Sequence, residues 1–269
     1  MEAEQVMIQW KYSQNDPLSR EFLSQHRQQR GYVIILPGIE GYSWLNRRIQ
    51  RGLIEAEVPY AIEIYDWTHR LPRVFHNLRS RKRHRIQSQA IAEKILAYQK
   101  SWPQRPVFLI GHSGGGGMAL RTLEQLPLET TISGAILLGA AVSPGFDLRP
   151  ALAHVDRKIW NMTSWADVFF LGLMTLAAGT LDGRHSLCAG MTGFRCGKLG
   201  PLESAKFEEM PYRCAYWRHG HLAGHFGFTA PSFVKHDVAP LLLQQDECCP
   251  DVATASSIPG KIIPHPAGP

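Results

Sequence analysis

A chain of 269 residues with 44% apolar and 19% charged residues has an ordinary globular balance and enough apolar material for one sizeable core, which excludes a chain too polar to fold. The formal charge of +6 is concentrated in the run Arg79-Ser80-Arg81-Lys82-Arg83-His84-Arg85, and the remainder is close to neutral. The charge therefore names no anionic partner, and no nucleic acid is expected.

The first thirty residues are polar, with Met7–Tyr12 a candidate edge strand. The opening Met1-Glu2-Ala3-Glu4-Gln5 is acidic where a signal peptide is basic, and no apolar stretch follows, so no targeting segment is expected. Tyr32–Leu36 is a short β-branched run that stops at Pro37-Gly38 and reads as a strand buried on both faces. Leu45, Ile49, Leu53 and Ile54 recur at helical spacing over 45–56, and a second strand is expected from Tyr60 to Tyr65. Ile86, Ala90, Ile91, Ile95 and Leu96 share one face of a helix over 86–101. Val107–Ile110 is the third strand, followed by a turn and a helix from Met118 to Gln125. Ile132–Leu138 and Lys158–Met162 read as the fourth and fifth strands, and Arg213–Trp217 as the sixth. A last helix runs from Pro231 or Ser232 to Leu243. Strands alternating with helices predict a mostly parallel, doubly wound α/β sheet in one domain over 1–244. Residues 168–210 fit no single crossover and read as an excursion over the carboxyl end of the sheet, a candidate small lid. Its apolar stretch Val168–Ala178 falls far short of the ~20 residues that span a bilayer, so no transmembrane segment is expected. From 245 the chain loses periodicity and reads as a flexible tail. Five cysteines (188, 196, 214, 248 and 249) with no secretory signal and no CxxC spacing predict reduced thiols and a cytoplasmic protein.

The chemistry-bearing motif is Gly111-His112-Ser113-Gly114-Gly115, at the end of the third strand and the start of a helix. A serine hydroxyl is a poor nucleophile unless it is held out of the fold beside a base and an oxyanion-stabilising group. A sharp strand-to-helix turn does this, and it requires flanking residues nearly bare of side chain, which Gly111 and Gly115 supply. Ser113 is the candidate nucleophile, and the N–H of Gly114 a candidate oxyanion donor. The Lys-Ser/Thr of a phosphate-binding loop is missing, which sets aside a phosphate site.

The chain resembles the α/β-hydrolase fold superfamily. The matching features are Leu36-Pro37-Gly38-Ile39-Glu40-Gly41 after one strand, the Ser113 turn after a later one, an acid near Asp167 and Gly224-His225-Phe226 near the end, over about residues 31–243. The motifs are specific to the superfamily and not to a substrate. The resemblance implies that the backbone N–H of Ile39 is the second oxyanion donor, and that acid and base follow the nucleophile in chain order. Asp167, just past the fifth strand, is the first candidate for the acid and Asp182 the alternative; Asp147 lies one strand early. His225 is the first candidate for the base and His221 the alternative. Glu40 is unexpected, since a carboxylate beside an oxyanion hole opposes developing charge; it is expected to tie its loop down, with Ser43 and Asn46 as partners.

The spacing His219-x-His221-x3-His225 also suggests a zinc site, but no carboxylate or cysteine pattern completes it, and no metal or other cofactor is expected. Trp67, Trp165, Phe169 and Phe170 either line an acyl pocket or belong to the core, and the Arg79–Arg85 run reads as a solvated helix start. Together these imply a serine hydrolase of the esterase or lipase type acting on a small-molecule acyl substrate. Acyl transfer on the same triad, a non-catalytic protein that kept the fold, and a metal-dependent hydrolase are the alternatives. Substrate and oligomeric state are not legible.

Overall fold

The computed structural model describes residues 21–69, 74–197 and 199–244. The candidate edge strand at Met7–Tyr12, the tail from 245 and the cysteines at 248 and 249 lie outside the described residues. Six strands form one sheet: β1 (Tyr32–Leu36), β2 (Ala61–Ile64), β3 (Val107–His112), β4 (Ile132–Leu138), β5 (Val155–Thr163) and β6 (Phe207–Pro211). Every pairing is parallel and the order is β2-β1-β3-β4-β5-β6.

The strands read as unbroken apolar runs because both faces of the sheet are covered. Side chains alternate across a strand, so Ile34 and Leu36 of β1 join one core while Val33 and Ile35 join the other. The first core receives Ile91 and Ile95 of helix α2 (Arg81–Ser101), with Met118, Leu120 and Leu123 of α3 (Gly114–Leu123). The second receives Ile49 and Leu53 of helix α1 (Trp44–Glu55), with Phe233, Val234 and Val238 of the last helical stretch, Pro231–Leu243. That stretch widens to a π-helical turn over Val234–Val238, just before Pro240. A proline there removes an N–H and crowds the carbonyl four residues back, and the wider turn accommodates it.

The sixth strand departs from the expectation. It lies at Phe207–Pro211, paired with Ile159–Thr163, and Cys214–His219 forms a 3₁₀ helix instead. Its sequence carries no clean apolar alternation, because it is an edge strand whose residues are half-buried and whose acids are engaged. Glu208 pairs with Lys158 at 2.7 Å, and Glu209 accepts from the Phe194 amide at 2.7 Å and from Asn161 at 2.9 Å. Pro211 is tolerated at the end of an edge strand. The excursion consequently runs from Val168 only to Lys206, because the sheet takes residues 207–210.

The chain leaves β1 toward β2 and returns to add β3 on the other side of β1. The strand order thus reverses between β1 and β3, the place where open α/β sheets bind ligands at their carboxyl ends. Leu36 pairs with Gly111 across this junction. The loops that follow the two strands are thereby neighbours. Among the described residues, no helix is long and apolar enough to cross a membrane.

Candidate active site

The turn after β3 is built by exclusion. A Cβ on Gly111 would lie 2.4 Å from the Gly115 carbonyl oxygen, and one on Gly115 would lie 2.0 Å from the Leu36 carbonyl oxygen. No side chain fits either position, so the glycines let α3 start directly against β1. Ser113 sits at the apex with φ +54° and ψ −118°, a conformation L-residues rarely adopt. Its backbone is pinned in place: the N–H donates to Leu138 at 3.0 Å, and the carbonyl accepts from Gly116 and Ala141, each at 3.0 Å. Backbone strain held this firmly is characteristic of functional positions.

The loop after β1 meets the same point. A Cβ on Gly114 would lie 2.9 Å from Ile39 Cγ2 and 3.5 Å from the Ile39 nitrogen, so the backbones of Ile39 and Gly114 are adjacent. The loop is braced from beneath: the Trp67 indole N–H donates to the Pro37 carbonyl at 2.7 Å, and the Asn77 amide to the Ile39 carbonyl at 2.9 Å. Arg83 in turn donates to the Trp67 carbonyl at 2.8 Å. Part of the basic run is thus structural, and Trp67 is core rather than pocket lining.

Asp167 lies four residues past β5 and His225 begins a short 3₁₀ turn; both are buried. His225 Nδ1 donates to Asp167 Oδ2 at 2.5 Å. This fixes the tautomer, leaving Nε2 with the lone pair. The Ser164 hydroxyl donates to the Ala223 carbonyl, tying the acid's loop to the histidine's loop. Phe170 stacks on the imidazole with centroids 4.9 Å apart. Ser113, His225, Ile39 and Glu40 line one cavity of about 270 Å³, otherwise walled mainly by apolar side chains including Leu45, Leu78, Phe170 and Phe226.

The alternative candidates are engaged elsewhere. Asp182 accepts from the Ser143 N–H at 2.9 Å, the Ser143 hydroxyl at 2.5 Å and the Thr180 hydroxyl at 2.6 Å, bracing the excursion against the segment after β4. Burial alone would raise its pKa, but these hydrogen bonds outweigh it and hold the group below its ordinary value. Asp147 is exposed and pairs with Arg149 at 2.7 Å. His221 is fully buried within an aromatic cage of Tyr212, Tyr216, Phe228 and Phe233. Neither of its ring nitrogens has a hydrogen-bond partner among the described residues, and burial pushes its pKa down to about 4. His219 bonds Asp237 at 2.6 Å. The three histidines of the zinc-like spacing therefore sit in three different surroundings, and among the described residues no group of three ligand-type side chains could hold a metal.

One residue at the site was not assigned a part by the sequence. His112, beside Ser113, is fully buried and lines the cavity. Its ring lies 4.7 Å from that of His225, and its Nε2 is 3.3 Å from the His225 carbonyl oxygen. Burial, with His225 nearby, pushes its pKa down to about 3, so it is neutral near pH 7 and donates to that carbonyl. Glu40 meets its expected part only partly: the Asn46 side chain and loop amides act on its carboxyl, while Oε1 takes no share in this. Ser43 and Asn46 bond to each other at the start of α1, and Glu40 Oε1 is buried with no close partner among the described residues. Burial raises the Glu40 pKa, only partly offset by backbone amides, His225 and Asn46.

The sheet order, the strained turn and the loop beside it are those of the α/β-hydrolase fold. Residues 89–180 match the family described as serine aminopeptidase, S33. Comparison with the curated proteins finds no match. Solved structures similar to this chain include a cutinase-like protein from Cryptococcus sp. (15% identity, 79% of this chain and 92% of that one, TM-score 0.40). An esterase from Rhizomucor miehei is similar at 15% identity over 81% of this chain and 75% of that one, with TM-score 0.43. A dienelactone hydrolase-like promiscuous phosphotriesterase from metagenomic libraries is similar at 15% over 68% and 70%, with TM-score 0.42. The family match, over its 92 residues, supports a hydrolase of the α/β fold.

Proposed function

We propose that the protein is a serine hydrolase that cleaves an ester or related acyl bond through Ser113, His225 and Asp167. The observation that carries this reading is the His225–Asp167 hydrogen bond at 2.5 Å, made by a histidine that shares a cavity with a serine held at positive φ. In the proposed cycle, Ser113 Oγ attacks the acyl carbonyl while His225 Nε2 takes its proton. Asp167 holds the imidazole in the required tautomer and stabilises the imidazolium as it forms. The N–H groups of Ile39 and Gly114 receive the developing oxyanion; both are backbone groups, already fixed before substrate arrives, so they cost no reorganisation. The imidazolium then protonates the leaving group, and water, activated by the same histidine, releases the acyl group. The chemistry needs no cofactor. The mainly apolar cavity walls suit an acyl chain, and Phe170 keeps water from the imidazole face.

The test is covalent labelling by a fluorophosphonate probe. Wild-type protein is expected to label, and Ser113→Ala to lose the label while keeping its thermal midpoint. A folded wild-type protein that stays unlabelled, or an Ala variant labelled as before, overturns the assignment.

A further inference from the structure

Two features of the sequence have no part in this chemistry: the outer side of the apolar stretch 168–178 and the arginines that open the basic run, Arg79 and Arg81. The fold brings them together at the mouth of the cavity. Residues 168–178 form one helical stretch. Phe170 and Thr175 face the cavity. Val168, Phe169, Leu173 and Leu176 face outward, each between 45% and 60% exposed. Leu187 and Val168 flank Gly172, since a Cβ there would lie 3.7 and 3.9 Å from their side chains. Phe226, also exposed, touches Phe170 with centroids 5.1 Å apart, so the apolar surface is continuous with the pocket lining. Large apolar side chains clustered outward in this way mark a binding surface rather than chance exposure.

The rim of this surface is positive. Arg79 Nε donates to the Ala178 carbonyl at 3.2 Å, and an Arg81 guanidinium nitrogen lies 3.0 Å from the Cβ position of Gly183. Arg184 and His185 follow, both exposed. Between residues 67 and 92 there is no acid, and between 166 and 202 there are two, Asp167 and Asp182. Asp167 is buried against His225, and Asp182 is held by Ser143 and Thr180 and reaches only Arg184 of the rim, at 3.9 Å, so the rim keeps a net positive charge. An apolar face bordered on one side by arginines matches the surface of an anionic lipid assembly: acyl boundary under the face, headgroup charge at its edge.

We propose that this face docks on an anionic lipid–water interface and that the cavity draws its acyl substrate from it. The binding half of the proposal is independent of the chemistry; the substrate half rests on the serine-hydrolase reading. Docking is measured by co-sedimentation of the full chain with vesicles of phosphatidylcholine alone or mixed with phosphatidylglycerol, using wild type and Ser113→Ala in parallel. Both are expected to bind the mixed vesicles and to be released by salt. Arg81→Gln with Arg184→Gln is expected to weaken binding about fivefold per arginine. Leu173→Glu with Leu176→Glu and Leu187→Glu, all exposed, is expected to weaken it by roughly a hundredfold. That triple variant is expected to hydrolyse a soluble short-chain ester within about twofold of wild type while losing most of its rate on a vesicle-borne long-chain ester. Wild type that sediments no better with mixed vesicles than with phosphatidylcholine overturns docking, as does a folded triple variant that binds unchanged. A concentration-dependent dimer dissociated by the triple substitution assigns the face to a second copy and overturns it too. Vesicle binding without any hydrolysis, by contrast, counts against the serine-hydrolase reading and leaves the docking surface standing.

Discussion

His221 sits within the core yet carries a group that water would protonate in mild acid. In the folded state burial lowers its pKa from an ordinary 6.5 to about 4. The unfolded chain therefore binds more protons than the folded one between these values, and stability falls as the pH drops below 6.5. At pH 5 the difference amounts to about 2 kcal/mol relative to pH 7.5, at 1.36 kcal/mol per unit. His112, with a folded pKa of about 3, adds a similar cost of roughly 2 kcal/mol. The perturbation that isolates one of the two is His221→Leu, which keeps a similar volume and removes a buried ring N–H that has no acceptor among the described residues. At pH 7.5 the variant is expected to lie within about 1 kcal/mol of wild type, because an unsatisfied polar group is lost along with the cage contacts. Between pH 7.5 and 5 it should lose about 2 kcal/mol less stability than wild type, a gap of roughly 6 °C in the thermal midpoint for a chain of this size. Urea denaturation at the two pH values measures this directly, and all other titrating groups cancel in the comparison. Equal losses in variant and wild type would refute the reasoning. The same variant should keep its fluorophosphonate label, since the proposed base is His225; loss of the label in folded protein would give the base to His221.

Asp167→Asn keeps the shape of the acid but favours the wrong imidazole tautomer, so ester hydrolysis should fall by about 10³–10⁴-fold with the fold intact; steady-state rates beside a circular dichroism melt check it. Gly115→Ala drives a methyl to 2.0 Å from the Leu36 carbonyl oxygen, and the expected cost is about 3 kcal/mol or more in urea denaturation. Glu40→Gln addresses a carboxyl whose folded pKa is raised by burial. The folded state binds the extra proton, so wild-type stability declines as pH rises from the ordinary carboxylate range through the raised value. The gap in thermal midpoint between variant and wild type should shift in the variant's favour across that window, and a gap that does not change with pH would count against a buried, titrating Glu40.

The sheet was legible wherever both faces of a strand are buried. Tyr32–Leu36 and Ile132–Leu138 match their expected ends because an unbroken apolar run bounded by Pro, Gly or polar residues leaves little choice. β6 was not legible because an edge strand shows half of itself to solvent: Glu208 and Glu209 hide its pattern, and their reasons for being there, Lys158 and the Phe194 amide, are distant in sequence. The Ser113 turn was legible because sterics there admit only glycine at 111 and 115, a constraint written in single residues. The choice of His225 over His221 rested on the turn around it, and what separates the two in space, one bonded to Asp167 and the other caged by four aromatic rings, comes from four different segments. The environment of Glu40 was hidden in the same way. Asn46 Oδ1 accepts from Ser43 in a local helix-start motif, and that pairing is as easily read from Ser43-x-x-Asn46 as a bond to Glu40.

Burial makes the position of Glu40 tolerable for the proposed chemistry. An ionised carboxyl lining the same cavity as Ser113 would raise the cost of the oxyanion expected at Ile39 and Gly114, more so in a water-poor, mainly apolar pocket. The same apolar surroundings act on the carboxyl first: they disfavour its charged form and push its pKa upward. Asp167 differs in having a specific partner, His225 Nδ1, at 2.5 Å. Two acids thus border one site in unlike surroundings. One is bonded to the imidazole of His225; the other has its charged form disfavoured by burial, which lessens its opposition to negative charge on an acyl oxygen. On this argument the outlier in an otherwise ordinary oxyanion loop is compatible with acyl chemistry at Ser113 for the same reason that the cavity suits an acyl chain: its walls exclude water.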